Sequence, residues 1–434
     1  MKKIPLVAQI LIGFGLGTAI GLALCEFASP DTTGKILPFV APFGSVLVAM
    51  LKMVVYPIIL FSLIMGAASL PLKTAGKVGG TVLAWYGLTS LFATVFGVVV
   101  AYALNPSLGG VAKDVAAGHM ADAQAFAGGT GAASSSFGAF LMSFFENPFS
   151  ALANGHFLAI IVFAVAFGLA ARWILDNEKT DETERRTVQT VLDFCDGAQR
   201  ISFRLIDCVV AYFPYGVFAL TLTNFAQHGT LLFGPYAKIT LCVTVGVAAM
   251  IFVIYPIAIG LCCRENPYRV LMRMRQPMLT AFVTRSSAAT LPVSFKAMDD
   301  IGVDRVLSSF SLPMGATVNM NGVCVHLPVF VVLAANMYHL NLGLLDIGTL
   351  CLLIVFAAIG AGGVPGGSVF LLFMVLENMH LSPEQTTLVV ALALGINPIL
   401  DMFETCCNVA GDLVCTYIVA KRNGLATNFS VNRL

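Results

Sequence analysis

The sequence predicts an all-α integral membrane protein, and three observations carry that reading. Hydrophobic residues make up 58% of the 434 and charged residues only 11%, with a mean hydropathy of +0.88, outside the range of soluble domains. Apolar segments long enough to span a bilayer recur along the whole chain. Basic residues fall at every second connection between them, the asymmetry that orients membrane helices. A net charge of +1 leaves no footprint for nucleic acid. Most of the eleven cysteines, Cys242, Cys262, Cys324 and Cys415 among them, lie in apolar runs, where a thiol serves as a small soft hydrophobe rather than half of a disulfide framework.

The first apolar segment, 5–27, follows Lys2 and Lys3 but has no small-residue cleavage site, so it reads as the first helix and not as a removed signal. Further segments fall at 38–69, 80–104, 137–172, 197–225, 233–263, 305–337 and 385–420. The second exceeds the roughly 20 residues of a perpendicular span and is expected to tilt. Two more, at about 268–300 and 345–380, are apolar but broken by Ser, Gly and Pro. The basic sets are Lys2 and Lys3; Lys73 and Lys77; Arg172, Lys179, Arg185 and Arg186; Arg264, Arg269, Arg273 and Arg275; and Lys421 and Arg422. Lys35, Lys113 and Lys238 are the few exceptions on the other side. The pattern gives eight crossings with both termini in the cytoplasm, provided each broken segment enters and leaves on one side as a re-entrant hairpin. The chain is thus expected in the cell (inner) membrane as a multi-pass protein. The Ala-, Gly- and Ser-rich stretch 107–136 reads as a mobile external loop, and 176–186, with charges of both signs, as a solvated cytoplasmic connection.

The chemistry concentrates in the last third. Asp401, Glu404 (or Thr405), Asn408 and Asp412 are spaced by 3, 4 and 4, which stacks them along one helical face. Each carboxylate near a bilayer centre costs about 2.5–3.5 kcal/mol, so this ridge must face an interior that supplies compensation, a cation or a cationic group on a substrate. Three stretches cannot continue as regular helix: Thr284–Pro292 in the first broken segment, Gly360–Ser368 in the second, and Pro313–Gly322 between them. Backbone at membrane depth must be hydrogen-bonded or face a wet cavity. Freed carbonyls and hydroxyls there suit Na⁺, and the N–H groups of half-helix termini suit a carboxylate. A broken hairpin followed by a polar-interrupted helix occurs twice, the pattern of an inverted repeat with its site at the repeat interface. An ion channel can also use acidic rings and broken helices. Distinct anion-friendly and cation-friendly clusters favour a transporter. For an enzyme, Cys406 and Cys407 with His326 are the only nucleophile and base candidates, and their spacing does not support them.

Four motifs make a resemblance specific: Arg-Ser-Ser-Ala-Ala-Thr-Leu-Pro at 285–292, Met-Gly-Ala-Thr-Val-Asn-Met-Asn-Gly at 314–322, Gly-Val-Pro-Gly at 363–366, and Asp-Met at 401–402 with Asn-Val-Ala-Gly-Asp at 408–412. With them, over nearly its whole length, the chain resembles the dicarboxylate/amino acid:cation symporter family, the glutamate-transporter-like proteins. The resemblance implies a homotrimer working by an elevator movement. Residues of about 1–78 and 137–225 would form mainly the scaffold, and about 79–104 and 233–421 mainly the moving transport unit. It implies one sodium among Gly315, Asn319, Asn408 and Asp412, and a second between Thr317 and the hairpin backbone at Ala358, Ile359 and Ala361. Asp401 matches the acid that holds a substrate ammonium, while Asn408 and the Ser286–Ser287 backbone match the α-carboxylate site. Arg285 and Val364 belong to the same hairpin-tip motifs, and Thr405 to the ridge. Tyr86, Thr89 and Ser90 match ligands of a third sodium in acidic-substrate members.

The departures from the family pattern bear on the substrate. Glu404 stands where glutamate-type members have an Arg that pairs with the substrate's side-chain carboxylate, and Val323 replaces a Thr that helps bind it. An acid facing an acid in a buried site costs several kcal/mol without an intervening proton or cation. The site residues are most similar to the sodium/serine-threonine branch, which implies a small neutral hydroxy amino acid. Glu404 would then accept a hydrogen bond from the substrate hydroxyl; alternatively it is neutralised by Arg285, binds a cationic side chain, or is paired structurally away from substrate. Asn321 replaces an acid of the third sodium site and Asn397 another nearby, so coupling to two sodium ions is expected, with H⁺ as the other candidate coupling ion and no further cofactor. His326 reads as a hydrogen-bonded packing residue, and Lys296, Asp299 and Asp300 as an exposed hairpin end.

Overall fold

Residues 6–68, 76–106, 145–154, 157–359, 367–379 and 381–426 are described by a computed structural model. Among these residues every regular element is helical. In chain order they are α1 (Leu6–Phe27), α2 (Pro30–Ala68), α3 (Gly76–Leu104), α4 (Pro148–Asn154), α5 (Phe157–Asp176), α6 (Glu182–His228), α7 (Phe233–Ala249) and α8 (Tyr255–Cys263). Then come α9 (Pro267–Arg273), α10 (Arg275–Thr284), α11 (Ser287–Asp300), α12 (Arg305–Val318), α13 (Asn321–Met337), α14 (Leu344–Ile359), α15 (Gly367–Glu377) and α16 (Pro383–Arg422). Among the described residues, six helical stretches are long and apolar enough to cross a membrane. The external loop read at 107–136 lies outside the described residues.

Two packing groups are evident. Helices α1 and α2 run along α6, and α2 also packs on α5. Helix α3 packs against α13, while α10, α12, α13 and α15 gather around α16. In an 18-residue apolar window of Arg305–Met337, 94% of the residues are buried, against 22% in such a window of Ala8–Phe27 and 33% in one of Val78–Leu104. Hydropathy alone is similar across these stretches, so burial, not apolarity, identifies α12–α13 and α16 as the centre of the molecule.

Two helix boundaries differ from the sequence reading for local reasons. The charged stretch 176–186 is not a plain linker: Asp181 accepts from Glu184 N at 2.7 Å and caps α6, with Glu182 and Glu184 in its first turn. Helix α6, at 47 residues, is about 70 Å long, so its polar first half projects beyond a hydrocarbon core of about 30 Å. The segment 233–263 is interrupted by a π turn at Met250–Ile254. Pro256 has no N–H to give the carbonyl four residues back. Tyr268 Oη supplies the bond instead, donating to Phe252 O at 3.0 Å.

The end of the chain clasps the base of the first hairpin. Lys421 Nζ lies 2.8 Å from Glu265 Oε1, and Tyr417 Oη donates to Glu265 Oε2 at 2.5 Å. At the hairpin's other end Asp304 N donates to Leu425 O at 2.8 Å, beside an antiparallel bridge between Val303 and Ala426. Glu265 lies outside the spanning helices. Partial burial pushes its carboxyl up, but the bonds from Lys421 and Tyr417 outweigh this and hold it below the usual range. Asp299 pairs with Arg305 at the same end, and Lys296, Asp299 and Asp300 close α11 there.

Candidate substrate and cation site

The first hairpin breaks at two residues. Arg285 caps α10 in the left-handed region (φ 54°), unusual for a non-glycine, and Ser286 starts α11 by accepting from Ala289 N at 3.2 Å. The C-terminus of one half-helix thus meets the N-terminus of the next at the hairpin tip. Arg285, bent over by this turn, places Nη1 3.6 Å from Asp401 Oδ2 on α16, with both side chains buried. Arg285 Nε and Ser287 Oγ are buried and find no hydrogen-bond partner among the described residues. Buried donors are nearly always paired, so two orphans beside an acid and a helix N-terminus mark a place built to receive acceptor oxygens.

Asp401, Glu404, Thr405, Asn408 and Asp412 are all buried on α16, whereas Met402, Phe403 and Cys406 between them are only partly so. The polar ridge therefore points inward, onto α12 and α13. The gap between those helices, Asn319 and Met320, has non-helical backbone. Asn408 Oδ1 fills one need of the break, accepting from Gly322 N in the first turn of α13 at 2.6 Å. The crossing is close: a Cβ on Gly322 would lie 2.2 Å from Glu404 O, and one on Gly315 would lie 2.5 Å from Asp412 Oδ1. Only glycine admits α16 at this distance.

Around the proposed first sodium position, Asn319 Nδ2 donates to Asp412 Oδ1 at 2.9 Å and Thr89 Oγ1 donates to Asn319 Oδ1 at 3.2 Å. Tyr86 Oη donates to Ser311 O at 2.9 Å, one turn before Gly315. Asn321 is used at both ends: its Oδ1 accepts from Ser90 Oγ at 3.2 Å and its Nδ2 donates to Tyr255 Oη at 3.0 Å. The phenol in turn donates to Cys407 O at 3.2 Å. Tyr255 was not singled out from the sequence, because nothing in the apolar run 233–263 distinguishes a phenol that turns toward α16.

Thr317 and Ile359 lie apart from that network, on a cleft of about 360 Å³ that also borders Ser62 and Met65 of α2, Gln199 of α6 and Phe310 of α12. Thr317 Oγ1 donates within its own helix, to Met314 O at 3.0 Å. Ala358 is buried, as is Val323 beside Gly322. Ala361 and Val364 lie outside the described residues. Of the options read for Glu404, the structure pairs it with His326, whose Nδ1 lies 2.5 Å from Glu404 Oε2, both buried, and not with Arg285. His326 does pack, its ring centroid 5.1 Å from that of Phe330, but it also touches the ridge.

A broken helical pair, a discontinuous helix and an inward acidic ridge meeting at one place fit a membrane transport protein. The chain belongs to the Sodium:dicarboxylate symporter family, which matches residues 6–422. It is a symporter, not an enzyme. It is 30% identical over 94% of its length to the serine/threonine transporter SstT of Bifidobacterium adolescentis, covering 87% of that protein. It is 28% identical to a proton/sodium-glutamate symport protein of Geobacillus stearothermophilus, covering 98% of this chain and 96% of the relative. It is 29% identical to the neutral amino acid transporter B(0) of Bos taurus, covering 94% and 78% respectively.

Proposed function

We propose that this protein couples inward sodium flow to the uptake of a small neutral amino acid of the serine/threonine type. Cation-coupled amino acid transport is supported by the family and by the relatives' functions, which include serine/threonine, glutamate and neutral amino acid transport. The observation that carries the reading is the pair of orphaned donors, Arg285 Nε and Ser287 Oγ, beside Asp401. An α-amino acid brings a carboxylate for the donors and an ammonium for the acid, so a zwitterion satisfies both halves of the site at once.

The substrate side chain points toward the next turn of α16, at Glu404 and Thr405, with Val323 opposite. An acidic side chain would meet Glu404 there without a cation to pair with. Its place beside His326 argues equally against a bound cationic side chain. Sodium is held by Asp412, Asn319, Asn408 and the carbonyl of Gly315, and a second ion by Thr317 with Ala358, Ile359 and Ala361. Saturation of Asn321 by Ser90 and Tyr255 supports two sodium ions rather than three. The working unit is a homotrimer with eight crossings and two re-entrant hairpins in the cell membrane, both termini cytoplasmic. In it the group around α16 moves against the group around α6.

The test is uptake of labelled serine into proteoliposomes with and without a sodium gradient. Saturable, electrogenic, sodium-dependent uptake is expected, with serine and threonine competing and aspartate and glutamate not. Glu404→Arg should move the competition profile toward aspartate and glutamate. Equal competition by acidic and neutral amino acids in the native protein would overturn the substrate assignment, and non-saturating flux would indicate a channel.

A further inference from the structure

We infer that His326 determines the charge class of the substrate by neutralising Glu404, so that the side-chain end of the pocket presents a net-neutral pair instead of a carboxylate. The inference rests on the amino acid transport reading above and adds a residue that the family motifs do not assign. The two groups come from different helices, α13 and α16, and are 78 residues apart in sequence. His326 stands one turn beyond Gly322, where α13 crosses close to α16, and its ring packs on Phe330. The imidazole therefore cannot turn away from Glu404 without giving up its packing.

The surroundings leave the pair to balance itself. On α16, Asp401 is matched by Arg285 from the hairpin tip, and Asp412 receives the Asn319 amide from the α12–α13 break. The thiols of Cys324 on α13 and Cys407 on α16 also lie near Glu404. An uncompensated carboxylate so deeply buried is strongly disfavoured. A proton held between Nδ1 and Oε2, 2.5 Å apart, would remove the net charge whichever partner carried it. The ridge then consists of one acid matched by Arg285, one matched by His326, and one, Asp412, left for sodium. A neutral pair can exchange hydrogen bonds with a hydroxyl but offers nothing to a second ammonium or a second carboxylate. Take away the imidazole, and the same position becomes an anionic hole suited to a cationic side chain.

The experiment compares His326→Leu, His326→Gln and the double variant His326→Leu/Glu404→Leu with the native protein. Serine uptake and competition by lysine, 2,4-diaminobutyrate and aspartate are measured in proteoliposomes, with thermal stability in detergent followed in parallel. In His326→Leu, serine affinity should fall at least about tenfold while competition by the cationic amino acids rises by a similar factor. His326→Gln, which keeps a hydrogen bond but no proton-binding nitrogen, should shift the same way by less. The double variant should lose the cationic preference, and any stability lost in His326→Leu should return, because no lone acid remains. Unaltered charge selectivity in folded His326→Leu overturns the proposal. So does a double variant that stays as unstable as the single one, which would make His326 a packing residue only. Absence of sodium-dependent serine uptake in the native protein instead sinks the transport reading itself.

Discussion

Arg285 and Asp401 face each other across the site at 3.6 Å, one on the tip of a broken hairpin and the other on the last helix. The separation is that of an ion pair and not of a hydrogen bond, so the guanidinium is close enough to balance the acid. The pairing ties the hairpin tip to α16, at the place proposed for a zwitterionic substrate.

Asp401→Asn removes the proposed ammonium partner and leaves Arg285 as an uncompensated buried cation. Apparent substrate affinity should fall by at least about a hundredfold, roughly 2.7 kcal/mol, in serine-uptake titrations at saturating sodium. Retained affinity would place the ammonium elsewhere.

Asp412→Asn leaves Asn319 and Gly315 in place but removes the one ridge acid without a basic partner among the described residues. Half-saturation by sodium should rise at least about tenfold, with little change in serine competition order. Native sodium activation in this variant would exclude Asp412 as a ligand.

Asn321→Asp tests the number of ions. An acid between Ser90 and Tyr255 would be buried with neutral partners only. The variant should acquire a steeper sodium dependence, seen as a higher charge-to-serine ratio in electrogenic uptake. An unchanged ratio with normal folding would show that this position is indifferent to cations.

Gly322→Ala would drive a methyl into the Glu404 carbonyl, 2.2 Å from its built position. Forcing α13 and α16 apart should cost about 1–3 kcal/mol of stability and break the bond from Gly322 N to Asn408. Thermal unfolding in detergent reads this directly, and a native melting temperature would contradict the close crossing.

The clasp at Glu265 is pH-dependent with a definite sign. Its carboxyl titrates lower when folded than when unfolded, so its contribution is present above the ordinary carboxylate range and is lost as pH falls through the folded value. Glu265→Gln should lower the melting temperature at neutral pH. That difference should shrink below about pH 4.

Much of the site was readable because intramembrane polarity is costly and therefore informative. The spacing 401, 404, 408 and 412 predicts a buried face, and all four residues are buried on α16. Breaks at 285–286 and 319–320 fall within the stretches that Ser, Asn and Gly mark. What spacing cannot convey is which element lies opposite. Glu404 had several candidate partners by chemistry, and only the crossing of α13 over α16 selects His326. Tyr255 was invisible for the same reason. The sequence does not mark where α6 starts, because its first turns are charged and exposed, although Asp181 caps them.

Fastening both roots of the first hairpin to the chain's end has a mechanical corollary. With both feet bonded to residues 417–426, the first hairpin and α16 are braced against each other. Residues 423–426, which look like a dispensable tail, are part of that riveting.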